Sequence, residues 1–107
     1  MNVLFLGSHC DDIELGCAGT INRHRNKWNI KCLIFSHIGI HGNYTNLSSV
    51  CEMSLKQLGV NDIEFLNFET GSFQNFRQSI WEKMNDLNTS FKPDLVFTHE
   101  EDDHQDH

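Results

Sequence analysis

The sequence lacks any apolar run long enough to cross a membrane, and its N-terminal apolar stretch, Val3 to Leu6, has no basic flank. A helical span needs about 20 apolar residues, and a secretory leader needs a charged start with a longer apolar centre. Cytoplasmic residence is therefore the expectation. Basic residues are few: 8 lysines and arginines face 15 acids, for a formal charge of -7. Such a surface repels a polyanion, which sets nucleic-acid binding aside. Repeats, low-complexity segments and linker-like stretches are missing too, so 107 residues make one small domain with one core. The cysteines, Cys10, Cys17, Cys32 and Cys51, show no C-x-x-C spacing, so a cysteine zinc site is not expected. In a cytoplasmic chain they should be reduced, with Cys17, Cys32 and Cys51 as small core residues. Gly16 and Gly19 do not make a G-x-G-x-x-G, which removes the usual sign of dinucleotide binding.

What is present is an alternation. Short continuous apolar runs occur at Met1 to Gly7, Ile30 to Phe35, Ile63 to Phe68 and Leu95 to Thr98. Runs of this kind fit strands buried on both faces of a parallel sheet. Helical stripes lie between them. Cys17, Ile21, His24 and Trp28 form the first; Leu47, Val50, Cys51, Leu55 and Leu58 form the second, with Gly59 as its C-terminal stop. Phe73, Phe76, Ile80, Met84 and Leu87 form the third, with Ser72 as N-cap, and Pro93 punctuates before the last strand. The expected fold is α/β: a three-layer, Rossmann-like parallel sheet flanked by helices, joined by right-handed crossovers. In such sheets ligands bind beyond the carboxyl ends of the strands.

Two polar clusters follow strands. After the first come His9, Asp11 and Asp12. Adjacent carboxylates repel and need a cation or solvent between them. On a turn entering a helix, His9 and Asp12 can face one side, and an imidazole with a carboxylate suits zinc or a similar divalent ion. Asp11 is then free for acid–base work. Plain capping of the next helix by Asp11 or Asp12 explains the same residues equally well. After the last strand comes His99, followed by a dense acidic run that ends Asp103-His104-Gln105-Asp106-His107. One imidazole there can complete a His-Asp-His metal set, while the other polarises a substrate carbonyl and a carboxylate orients an imidazole. The alternative is an unstructured histidine-rich tail. Ser36, His37, His41 and Asn43 follow the second strand and could line the same crevice.

Together these motifs resemble the PIG-L/LmbE-like family of metal-dependent N-deacetylases. His9-Cys10-Asp11-Asp12-Ile13-Glu14-Leu15-Gly16 looks like the family's His-Pro-Asp-Asp-Glu motif running into Leu-Gly. Pro93-Asp94 leading the last strand, with Asp103-His104-Gln105-Asp106-His107 beyond it, looks like the second signature; Glu52 and the Leu58-Gly59-Val60 turn look like the family's second helix. The resemblance implies roles. His9, Asp12 and His107 match the metal ligands, zinc first among candidates. Asp11 matches the general base. His104 matches the group that stabilises the oxyanion or protonates the leaving amine, and Asp106 matches its orienting carboxylate. The implied reaction is removal of an acyl group, acetyl foremost, from an N-acetylated sugar or glycoconjugate. Cys10 replaces the usual proline, Ser49 stands where an arginine is common, and Thr70 stands where an acid is common. Members continue past the last histidine, so the chain is expected to be the N-terminal part of a longer domain.

Three other readings compete. A receiver-like signalling domain also places paired acids after its first strand, but it needs an aspartate at the end of the third, where Leu66-Asn67-Phe68 stands. A catalytically incomplete metal-binding fragment would keep the ligands without a pocket. A metallohydrolase of esters or phosphates would share the ligand set.

Overall fold

The computed structural model describes residues 1–36, 47–68 and 71–100. Its elements run β1 (Asn2–Gly7), α1 (Asp12–His24), β2 (Asn29–Ile34), α2 (Leu47–Gln57), β3 (Asp62–Phe65), a 3-10 turn (Phe73–Phe76), α3 (Arg77–Ser90) and β4 (Leu95–Phe97). The strands form one sheet in the order β3-β2-β1-β4, all pairs parallel. That is the Rossmann order around its switch point. A receiver domain would instead place its first strand between the second and third. Here β1 lies between β2 and β4, so that rival fails on topology.

Alternation along the strands divides the core between the two faces of the sheet. Val3 and Phe5 of β1 pack with Ile30, Cys32 and Ile34 of β2 against Ile13 and Ile21 of α1 and Leu55 of α2. Leu4, Leu33 and Phe35 face the other way and pack with Phe73 and Leu87, joined by Ile80 and Met84 of α3. Helices thus cover both faces, which makes the three layers. The expectation of strands buried throughout holds for β1 and β2. It fails for both edge strands: β3 has no buried residue, and Leu95 and Val96 of β4 are 39% and 44% exposed.

Helix ends follow local chemistry. α2 stops where Gly59 adopts φ 93, and Val60 N–H then bonds the Leu55 carbonyl. The first stripe outlives its helix: Trp28 lies past α1, yet its ring stacks on His24 at 4.1 Å. The third stripe is split. Phe73 and Phe76 are three apart and belong to the 3-10 turn, with Phe76 against Phe68 at 5.3 Å, and α3 starts only at Arg77. Ser72 makes no side-chain cap bond, so its expected capping role is not realised.

The cysteines depart most from expectation. Cys10 and Cys51 form a disulfide, with Cα atoms 5.7 Å apart and a sequence separation of 41. Partner choice depends on spatial approach of Cα atoms, which spacing does not reveal. Cys51 is buried as expected, but it is not a free thiol. Cys17 and Cys32 are free, and burial pushes the Cys32 thiol up to about 12.

The β3 edge is held by charge. Lys83 of α3 contacts the Glu64 carboxylate, and Lys31 of β2 lies 3.5 Å from it. Burial opposes charging of Glu64, but the hydrogen bond and charge of Lys83, then those of Lys31, outweigh it and hold the carboxyl below its usual range. A carboxyl lowered on folding stabilises the protein above the ordinary carboxylate range and ceases to do so as pH falls through its folded value. Lys83→Met should therefore shrink the loss of stability on acidification, seen as a smaller drop in urea midpoint than the parent shows. An equal drop in both proteins would contradict this linkage. Cys51→Ser should lower stability by up to about 4 kcal/mol in the chain-entropy account of a loop this long. Titration of the unfolded parent should give two free thiols before reduction and four after it; four at the outset would deny the bridge.

Candidate active site

The site begins with a close approach. A Cβ on Gly7 would lie 3.0 Å from Ile13 Cγ1 and 3.2 Å from Ile34 Cδ1. Glycine at the end of β1 thus lets the first turn of α1 press on the sheet. Between them the chain makes a tight turn, tied from both sides. His9 N–H donates to Asp12 Oδ2 at 2.9 Å, and Asp12 N–H donates to the His9 carbonyl at 3.4 Å. Asp12 therefore points back over the turn instead of capping α1.

Asp11 occupies the N-cap position with φ 80, in the left-handed region, and makes no side-chain cap bond. A non-glycine residue there costs roughly 1 kcal/mol, with aspartate among the more tolerant types. Its side chain is exposed. The capping reading of the paired acids is thus not realised by either side chain, although both negative charges sit favourably at a helix N-terminus. Glu14 follows in the same turn. Both its carboxylate oxygens are shielded from solvent without a hydrogen-bond partner of good geometry. Burial pushes its carboxyl up, and the nearby Glu14 amide and Ser54 offset this only in part.

Pairing of β1 with β4 brings a third group to the turn. His99 Nε2 accepts the Ser8 N–H at 3.0 Å and lies 3.6 Å from Asp12 Oδ2. Accepting that bond requires a bare Nε2, so the neutral ring carries its proton on Nδ1. His9 Nδ1 is also 3.6 Å from Asp12 Oδ2, and its ring stands 5.7 Å from Phe73. His9, Asp12 and His99 are all partly exposed. In the sequence His99 stands at the head of the acidic tail and carries no role of its own. The available signal is its place directly after a strand that pairs with β1.

The structure thus brings together His9 and Asp12, with Asp11 beside them. His104, Asp106 and His107 lie outside the described residues, as do Thr70, His37, His41 and Asn43. Tetrahedral zinc, with bonds of about 2.0–2.1 Å, holds its donors roughly 3.4 Å apart. His9 Nδ1 and Asp12 Oδ2, at 3.6 Å, fit two corners of such a set. Among the described residues no three histidine, cysteine or acidic side chains form a group able to hold a metal ion.

His99→Phe keeps a ring and removes the acceptor. It takes that bond from the backbone of Ser8, a residue 2% exposed. The expected loss is about 1–3 kcal/mol in urea unfolding. His99→Asn, still able to accept, should recover part of it. Parent-like stability of the phenylalanine variant would show that the bond does not hold the turn.

Comparison with known proteins adds an independent line. No curated protein matches the sequence. Among solved structures the chain is similar to the conserved protein TT1542 from Thermus thermophilus, with a TM-score of 0.75 and 24% identity. The match covers 98% of this chain and 49% of that one, so the chain spans about half the length of its structural relative. At that identity the likeness shows a shared fold. The family model for PIG-L, described as GlcNAc-PI de-N-acetylase, matches residues 4–107, a span that contains both histidine–acid motifs. On that match the chain belongs to the PIG-L family.

Proposed function

We propose that this chain carries the catalytic motifs of a metal-dependent hydrolase that removes an N-acyl group, of which acetyl is the simplest, from an N-acylated sugar or glycoconjugate. The observation that carries the reading is the His9–Asp12 pair, locked by its own backbone ties at the crevice where β1 meets β4. Family membership supports a deacetylase-type reaction. In this reading His9, Asp12 and His107 hold a divalent cation, and the nitrogen–oxygen donor set favours zinc. When bound, the metal supplies Lewis acidity, polarising an amide carbonyl and making water acidic near neutrality.

The residues divide the remaining work. Asp11 is exposed beside Asp12 and bears no capping bond, so its carboxylate can accept a proton from the attacking water. His104 stabilises the oxyanion of the tetrahedral intermediate or protonates the departing amine, and Asp106 orients it. His99 holds the Ser8 backbone and keeps the turn in register with β4. The products are a carboxylate and an amino sugar.

The assay is release of free amine from N-acetylglucosamine conjugates by the chain with added zinc. No release would leave the catalytically incomplete fragment as the better reading. Asp11→Asn should lower the rate by on the order of 10²–10⁴ with metal content largely unchanged. Asp12→Ala should lower metal content itself, measured by elemental analysis. Wild-type turnover in the first variant, or full occupancy in the second, would remove that residue from its role.

A further inference from the structure

Beside the His9–Asp12 turn opens a cavity of about 210 Å³. Leu6, Phe35, Phe73, Ile80 and Met84 line its floor and walls, while Ser8 and His99 stand where it meets the turn. Phe73 joins cavity and turn directly, since its ring also packs against His9. We propose that this cavity seats the acyl chain of the substrate, and that amides with acyl groups longer than acetyl are the preferred class. The inference rests on the hydrolase reading above and extends it.

Three observations select an acyl chain over a sugar ring. First, the walls are mainly aliphatic and aromatic, with the Ser8 and Thr98 hydroxyls beside them, and His99 is the one titratable group among the described lining residues. A sugar would leave most of its hydroxyls there without hydrogen-bond partners, a costly burial. Second, the size is wrong for acetyl. A volume of about 210 Å³ is many times the roughly 10–15 Å³ that one water needs on the same measure, and an acetyl methyl is about the size of one water. A longer acyl chain fits. Third, the polar end lies at the turn, where Ser8 and His99 sit beside Asp12. An acyl chain pointing into the cavity therefore leaves its carbonyl next to the ligand pair and its amine outside.

The test has two independent arms. In the first, amine release is compared for N-acetyl-, N-butanoyl- and N-hexanoylglucosamine with the zinc-loaded chain. Burial of each methylene predicts about a fourfold gain, so hexanoyl should exceed acetyl by on the order of 10² in kcat/KM. Ile80→Trp, which fills the cavity, should abolish that gain and leave acetyl hydrolysis near the parent rate. Ile80→Phe serves if the larger ring prevents folding. In the second arm, the methionine methyls are ¹³C-labelled and hexanoate is titrated in. Met84 lines the cavity, whereas Met1 and Met53 are 64% and 63% exposed and are not among its described lining residues, so only the Met84 signal should shift and saturate. Equal efficiency for acetyl and hexanoyl substrates, or a Met84 signal that does not respond, overturns the proposal. If no amide is cleaved, the hydrolase reading fails. The titration then decides the cavity alone: a saturable Met84 shift upholds an apolar-chain site, and none refutes it.

Discussion

Parallel pairing of β1 with β4 is the constraint on which the rest depends. Val3 to Phe5 lie beside Leu95 to Phe97, and this register carries the ends of both strands to the same edge of the sheet. The Ser8–His99 hydrogen bond then links residues 91 apart in the chain. Stacking of Phe5 on Phe97, with centroids 4.7 Å apart, holds the register from the side. At the opposite end, Asn2 and Asp94 exchange backbone and side-chain bonds at 2.7 Å. A slip of one residue would turn Phe97 to the other face and separate the two motif-bearing loops.

Around that pairing, stability and chemistry occupy different parts of the molecule. The two apolar clusters on either face of the sheet agree at every level with the pattern of the strands and helices. The β1–α1 turn does not. It holds Asp11 in a left-handed conformation, gathers Asp11, Asp12 and Glu14 in one turn, and buries the Glu14 oxygens without good partners. Local conflict concentrated at one turn, above an otherwise consistent core, is the usual mark of a functional site. The Cys10–Cys51 bridge fastens this same turn to α2.

Much of this arrangement is legible in the sequence. Continuous apolar runs mark all four strands, and helical stripes mark three helices, because burial on a sheet and on a helix impose different periods. Gly59 stops α2 as expected, since a left-handed position favours glycine. The pairing of His9 with Asp12 follows from spacing on a turn. Legibility ends where the outcome depends on distant partners. The stripe through Phe73 and Phe76 does not reveal that Phe68 draws these residues into a separate 3-10 turn. Exposure of Leu95 and Val96 is hidden because an edge strand and a central strand can share one composition.

The sequence by itself determined the class of fold, the two motifs and the chemical character of their donors, since these depend on residue type and local period. Tertiary structure decided which strands are neighbours, which cysteines pair, and that His99 belongs to the turn of His9 and Asp12. Those outcomes require residues far apart in the chain to approach within a few ångströms. Local period carries no information about such approaches; they are settled only when the whole sheet closes on its two apolar faces.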